Sequence, residues 1–454
     1  MNWEKVKQIF FIGIGGIGMS ALARYFHAKG IQVSGYDRTA TSLTDTLQSE
    51  GIPVMFEDIP TLMPSQPDLV VFTPAIPSGH QGMIYYQSAG IPLMKRSEVL
   101  GFITSGQFAI CVAGSHGKTT VSAMITHVLT DSGFGCSAFL GGISLNYQSN
   151  YLTHSGHTVV VEADEYDRSF HRLVPDIAVI TSVDTDHLDV YGTKEQIDEA
   201  FLTFTQKIHP EGVLVIKEGQ SIQERLPVMD KVFYHFNSTT ADLYCSKFWV
   251  VDGGTVFYVR YFGKEYGPFR LNQGGLHNVE NALAAIAVGL ELKIDISLIQ
   301  RAISTFLGIK RRFEFVVKTN RFVFIDDYAH HPEELRAFLQ GVKALYPNRK
   351  ITIAFQPHLF TRTRDLAEGF ASALDMADEV LLLDIYPARE LPIEGVTAAL
   401  IFDNIQHAKK IQVSREHLVD TIQTLPLPDV FLTAGAGDID SCIPQLKSYF
   451  ERAL

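Results

Sequence analysis

Residues 112–120 read Val-Ala-Gly-Ser-His-Gly-Lys-Thr-Thr. Gly117, Lys118 and Thr119 are the residue types that close a loop around a phosphate group. Such a loop follows a buried strand and opens a helix, where unpaired backbone amides and the helix dipole favour an anion. The lysine faces the β- and γ-phosphates of a nucleotide, and the threonine hydroxyl suits Mg2+. The long form of this loop has another glycine five positions before the second one. That position is Val112, and the nearest upstream glycine is Gly114. An ordinary glycine turn with a surface lysine fits the same residues.

Acidic strand ends accompany the loop. The stretch "VVVEADEYD" is an apolar strand that ends on Glu162, Asp164 and Glu165. A hard cation takes carboxylate oxygen, so a strand-end acid beside a phosphate loop completes a Mg2+ site; a solvated acidic turn is the plain alternative. "DTDHLD" sets Asp184, Asp186, His187 and Asp189 after a further strand. By residue type alone, His187 reads more readily as an ion-paired surface histidine than as a metal ligand. Near the amino terminus, "GIGGIG" supplies Gly13, Gly15, Gly16 and Gly18 between a strand and a helix, and Asp37 closes the next strand. Taken literally this is a dinucleotide fingerprint. The physics requires only a diphosphate against a helix N-terminus, which a UDP-sugar also satisfies.

Further along, "LHNVENA" places Asn278 and Asn281 near one helical face, to read a base or to cap the helix. "KRRFE" sets Arg311 and Arg312 in a hinge-like turn suited to a polyphosphate. "DDYAHHPEE" and "FQPHLFTRTRD" both follow strands. They bring Asp327, His330, His331, His358, Arg362 and Arg364 to one sheet edge, where guanidinium forks suit a carboxylate.

The elements that must hold these groups follow from the patterning. Short apolar runs alternate with helix-like segments, which predicts parallel sheets covered by helices. Three α/β domains are expected, over 1–105, 106–314 and 315–454, with the first and third Rossmann-like and the central one like a phosphate-loop ATPase. Residues 213–273 are β-rich and predict a small antiparallel layer in the central domain. Hydrophobic residues make up 46% and charged residues 19%, which excludes a disordered chain. A net charge of −12 argues against an extended nucleic-acid surface. Four scattered cysteines, no apolar run of spanning length and no leader-like start predict a cytoplasmic protein without membrane insertion.

These motifs in this order resemble the Mur ligase family, the ATP-dependent amide-forming enzymes of peptidoglycan precursor synthesis. "FIGIGGIGMSALA", "GSHGKTT", "EADEYDRSF", "DTDHLD", "HNVENA", "RRFE", "DDYAHHP" and "FQPHLFTRTRD" carry the resemblance, which spans essentially the whole chain. The family's phosphate loop is the short Gly-x-x-Gly-Lys-Thr form, so Val112 is no defect. The versions of the motifs sit closest to the subgroup that adds L-alanine to UDP-N-acetylmuramate. A ligase that recycles a preformed tripeptide onto the same sugar is the alternative. An NAD-dependent oxidoreductase built on residues 1–105 leaves the phosphate loop and the third domain without a role.

The resemblance implies ATP and Mg2+ as cofactors, small-molecule substrates, and a monomer or weak homodimer. Gly114, Ser115, His116, Gly117, Lys118, Thr119 and Thr120 would cradle ATP, with Asn278 and Asn281 near the adenine and Arg312 and Asp327 completing the nucleotide contact. Thr119, Glu162 and His187 would ligate metal, which reverses the plain reading of His187. Gly13, Gly15, Gly16 and Gly18 would take the UDP-sugar diphosphate, with Asp37, at the spacing of a ribose-binding acid, in the same substrate site. His330, His358, Arg362 and Arg364 would position the amino acid as the third domain closes over ATP. Lys118, His187, Arg312 and His330 would act in catalysis. Leu359 departs from the arginine often found at its position in the family, and Phe201 stands where sister ligases carry a carbamate-forming lysine. Because a loop lysine packs little, removing Lys118 is expected to leave the thermal transition nearly unchanged.

Overall fold

Ile9–Ile12, Ile110–Ala113, Val159–Val161, Ile177–Ile180 and Ile351–Phe355 are short apolar runs with every residue buried, as strands covered on both faces require. They lie at the centres of three sheets. The computed structural model describes residues 3–454 except 78, 185–187, 252, 253 and 389, and leaves out the side chains of 4, 167, 188 and 189.

The first sheet is five-stranded and parallel, in the order Val54–Met55, Gln32–Tyr36, Gln8–Ile12, Leu69–Phe72, Leu93–Lys95. The chain order reverses beside Gln8–Ile12, and the helix Ile17–Ala28 opens at that switch point, where α/β folds place ligands. The second sheet has ten strands. Phe108–Ala113 lies between Ile177–Ile180 and Thr158–Glu162, all parallel, so that the phosphate loop and the acidic strand end emerge at one edge. The β-rich stretch joins this same sheet. Val213–Lys217 and Asp230–His235 extend it in parallel, and Gly254–Tyr261 and Lys264–Leu271 finish it. The last two are joined through Phe262 and Gly263, at φ of 43° and 80°, the left-handed pair that turns an antiparallel hairpin.

The third sheet runs Glu314–Lys318, Val323–Asp327, Val430–Ala434, Ile351–Phe355, Glu379–Leu382, Lys409–Gln412, with only the first strand antiparallel. The fold is α/β throughout. Among the described residues no helix is long and apolar enough to cross a membrane.

The chain divides into two compact units. One holds Met1–Phe248, Phe257–Arg270 and Val279–Leu307; the other holds Trp249–Val256, Leu271–Asn278 and Gly308–Leu454. Within the first unit, helix Ile17–Ala28 of the first sheet packs on strands Ser137–Ser144 and Ser149–Leu152 of the second. Asn150, fully buried, donates to Ile17 O and to Ser20 Oγ and accepts from Arg24, whose guanidinium also pairs with Glu50. Tyr25 meets Phe139 and Tyr151 beside this network. Within the second unit, Phe322, Phe324 and Phe431 gather around Phe450 under the third sheet.

Candidate active site

Val112 is a fully buried strand residue whose carbonyl accepts from Ala163 N at 2.8 Å, so the loop begins only at Gly114. Gly114 has φ of +139°, and a Cβ there would meet Thr181 Oγ1 at 2.0 Å. Gly117, at φ of +83°, caps helix Lys118–Asp131, and a Cβ on it would stand 2.8 Å from Asn281 Oδ1. Only glycine fits both places. Between them the loop is strapped to the end of the Ile177–Ile180 strand. Ser115 N donates to Ser182 O and His116 N to Ser182 Oγ, each at 3.1 Å, and the Thr181 hydroxyl donates to His116 O. The exposed His116 ring lies 4.0 Å from Asp184, and Thr120 sits half-buried in the first helical turn.

Four side chains, Lys118, Thr119, Glu162 and Glu165, meet at this loop. Lys118 Nζ donates to Gly114 O at 2.6 Å and to Glu165 Oε1 at 2.8 Å. Burial pushes the Glu165 carboxyl above its usual range, while the Lys118 charge pulls it back. Thr119 Oγ1 donates to Glu162 Oε1 at 3.1 Å, and Gly141 N donates to Glu162 Oε2 at 3.0 Å. A hydroxyl and a carboxylate meeting at the helix start form an oxygen donor pair of the kind a hard cation takes. Among the described residues, no group of three or more His, Cys, Asp or Glu gathers to hold a metal. His187 and Asp186 lie outside the described residues.

A cavity of about 280 Å3 lies between the amino-terminal glycine turn and this acidic strand end, lined by Gly16, Gly18, Arg96, Gly141, Glu162 and Asp164 among others. Asp37 Oδ2 accepts from Gly15 N at 2.8 Å, so the acid holds the glycine turn in shape. Gly13 takes φ of +86°, and a Cβ on Gly18 would press on Arg96 Nη1 at 2.9 Å. Arg96 itself lies 3.5 Å from Asp164.

In the second unit, Asn278 Nδ2 donates to Gly274 O at 2.7 Å, which ties the start of its helix to the preceding turn. The guanidinium groups of Arg311 and Arg312 both pack on the Tyr328 ring, with centroid distances of 5.2 and 5.6 Å. Asp327 accepts from Phe313 N and Ala329 N, and burial lifts its carboxyl to about 6 against the pull of Arg312. His330 shares Nδ1 between Tyr328 O and Glu334, and burial lowers its pKa, so the ring is neutral at neutral pH. Its ring lies 6.0 Å from that of His358, and Arg362 Nη1 lies 3.3 Å from His358 Nδ1. His330, His358 and Arg362 therefore form one cluster. Arg364 commits its fork to Asp365 at an exposed position instead. Leu359 holds φ of +70° as it enters helix Phe360–Leu374, and its N–H donates to Tyr386 O, so its role here is to bend the backbone.

The fully buried Asp326 gives a pH signature. It accepts from Arg311 Nε at 3.2 Å and from Thr433, and burial still raises its carboxyl from 3.8 to about 7. An acid raised in this way contributes stability fully below 3.8 and loses it as pH rises through about 7. The melting temperature of the wild type should therefore rise relative to that of Asp326→Asn as pH falls from about 8 to about 5. A difference that stays flat over that interval contradicts the shift.

Three family models match the chain in succession: the Mur ligase family catalytic domain over residues 8–107, the Mur ligase middle domain over 112–289, and the Mur ligase glutamate ligase domain over 311–437. The chain belongs to the Mur ligase family. Among curated relatives of this Mur ligase, the UDP-N-acetylmuramate–L-alanine ligase of Porphyromonas gingivalis is 48% identical, covering 98% of this chain and 99% of that one. The enzyme of the same name from Cytophaga hutchinsonii is 42% identical over 100% of this chain and 98% of its own. Among solved structures, the UDP-N-acetylmuramate–alanine ligase of Thermotoga maritima superposes with a TM-score of 0.85 at 29% identity, over 98% of this chain and 100% of that one. A murein peptide ligase from Psychrobacter arcticus shares the fold, with a TM-score of 0.70 at 23% identity, over 97% of this chain and 98% of its own.

In this Mur ligase, Phe201 is fully buried on helix Lys194–Thr205, 5.3 Å from the Phe170 ring, which stacks on Phe204. A phenyl ring in an aromatic core offers no oxygen to a hard cation. Turnover in CO2-depleted buffer should be indifferent to added bicarbonate, and a reproducible rise on restoring it would place a carbamate elsewhere. Arg96 and Gly141 border the candidate site and were passed over by motif reading, while Glu165, read there only as one of the strand-end acids, pairs with Lys118. Arg96 follows strand Leu93–Lys95 at the same kind of strand end that marked the other groups, and that position was the available signal.

Proposed function

We propose that this chain joins L-alanine to the lactyl carboxylate of UDP-N-acetylmuramate in an ATP-driven reaction of peptidoglycan precursor synthesis in the cytoplasm. The observation that carries the reading is the convergence of Lys118, Thr119 and Glu162 on a short phosphate loop, beside a cavity that begins at a diphosphate-type glycine turn. Full-length similarity to ligases of that activity supports it.

The lactyl carboxylate attacks the γ-phosphate of ATP, giving an acyl phosphate and ADP; the alanine amine then attacks the acyl carbon and phosphate leaves. Residues 1–105 hold the UDP-sugar, with the turn at Gly13, Gly15, Gly16 and Gly18 bringing the N-terminus of helix Ile17–Ala28 close to the diphosphate. Residues 106–314 hold ATP. Lys118 neutralises charge on the transferring phosphoryl group, where fixed electrostatics dominate catalysis. Thr119 and Glu162 would hold Mg2+, which, when bound, offsets phosphate charge; His187 joins them in this reading. Residues 315–454 supply the amino-acid site, with His330, His358 and Arg362 around the incoming alanine, while Asp327 and, from the end of the central segment, Arg312 serve the nucleotide. A neutral His330 keeps one ring nitrogen as a hydrogen-bond acceptor for the alanine amine.

The test is ADP release with each substrate omitted in turn. Turnover should require UDP-N-acetylmuramate and L-alanine together, with Mg2+ present. Equal ADP release from ATP alone would mark a simple ATPase, and turnover with a preformed tripeptide in place of L-alanine would mark a recycling ligase.

A further inference from the structure

A lysine ammonium has three N–H bonds to direct and a long, flexible stem to order. In Lys118 two of the three are already placed, on Gly114 O at 2.6 Å and Glu165 Oε1 at 2.8 Å. Both acceptors belong to fixed frames. Gly114 is wedged against Thr181 and Ser182, with no room for a side chain. Glu165 is 2% exposed, and its backbone carbonyl accepts from the hydroxyl of Tyr191, itself 1% exposed. The turn leading to it is pinned by Phe170 N and Ser169 Oγ, which both donate to Asp164 O. The carboxylate therefore reaches the lysine from a rigid turn, and the lysine side chain is only 14% exposed.

A buried ion pair of this kind is a poor stabiliser, because the desolvation of two charges offsets most of their attraction. The transfer chemistry described above assigns Glu165 nothing to do. We propose that Glu165 is a positioning residue for Lys118: together with Gly114 O it fixes the ammonium over the phosphate loop, with the third N–H directed to a phosphate oxygen. The lysine then meets the phosphate already ordered, and its stem needs no further restriction at the moment of transfer. The inference rests on the reading of Lys118 as the lysine that faces the transferred phosphoryl group.

The experiment measures kcat and both KM values by ADP release, with melting temperatures alongside. Glu165→Ala should lower kcat about ten- to a hundredfold while the KM for the UDP-sugar stays within about twofold. Glu165→Gln should recover most of kcat, because the amide oxygen accepts the same N–H. The double variant Lys118→Ala/Glu165→Ala should be no slower than Lys118→Ala alone, since residues that act as a unit do not add. Losses that multiply in the double variant overturn the proposal, as does a wild-type kcat in Glu165→Ala when Lys118→Ala is inactive. A wild-type kcat in Lys118→Ala instead removes the reading of the loop itself, and this inference with it. Where Glu165→Ala fails to fold, Glu165→Asp and Glu165→Gln decide: aspartate, one methylene short, should lose kcat and glutamine should keep most of it. The reverse order overturns the assignment.

Discussion

Lys118→Ala should lower the rate of ADP release by about 10²–10³-fold, the scale seen when one preorganised electrostatic group is removed from a transition state. Binding of UDP-N-acetylmuramate, followed by calorimetry, should change little, because the lysine is not among the residues lining the cavity beside the glycine turn. Loss of sugar affinity with ATP turnover intact would show that the loop serves the other substrate. The structure alters the expected effect on stability. A surface loop lysine would leave the thermal transition untouched, but Lys118 is the counter-charge of a nearly buried glutamate. Its removal should lower the melting temperature. The deficit should grow as pH rises, since burial raises the Glu165 carboxyl and a raised acid loses its contribution on ionising.

Glu162→Gln should reduce turnover by about 10²-fold or more and shift the Mg2+ requirement upward, since the carboxylate of the proposed metal set becomes a neutral amide. The same carboxylate can be displaced without altering it. A Cβ added at Gly141 would lie 2.1 Å from Glu162 Oε2, so Gly141→Ala should reproduce the Mg2+ phenotype with the acid still present. Mg2+ titrations of turnover for the two variants check this. A wild-type Mg2+ dependence in both would remove Glu162 from the metal site.

The phosphate loop was legible in the sequence because its function is written in consecutive residues. Two left-handed glycines, a lysine and a threonine at fixed spacing leave the backbone few alternatives. Asp37 was legible for a similar reason, as an acid at the end of the next strand, although its observed bond is to the glycine turn itself. Arg96 and Gly141 were not. Each acts on a residue from another element, and nothing local in "KRSE" or "LGGIS" says which side chain the sheet will bring opposite. The Arg364–Asp365 pair shows the converse. Its place in a motif after a strand put Arg364 with the amino-acid residues, and its guanidinium pairs with the adjacent Asp365. The β-rich stretch was recognised as strands, but its attachment to the edge of the central sheet depends on long-range pairing, such as that of Asp230–His235 with Val213–Lys217.

The buried knot of Arg24, Ser20 and Asn150 bears on how the molecule can be dissected. Helix Ile17–Ala28 covers its own sheet on one side and the strand pair Ser137–Ser144 and Ser149–Leu152 on the other. A fragment cut near residue 105 would carry away Arg24 and Ser20 and leave Asn150, now fully enclosed, at a raw surface beside Phe139 and Tyr151. Each half would expose apolar surface that a soluble fragment must cover by self-association. Expression of residues 1–105 alone therefore needs their partner strands retained, and the natural unit for crystallisation or ligand screening is the pair of sheets together.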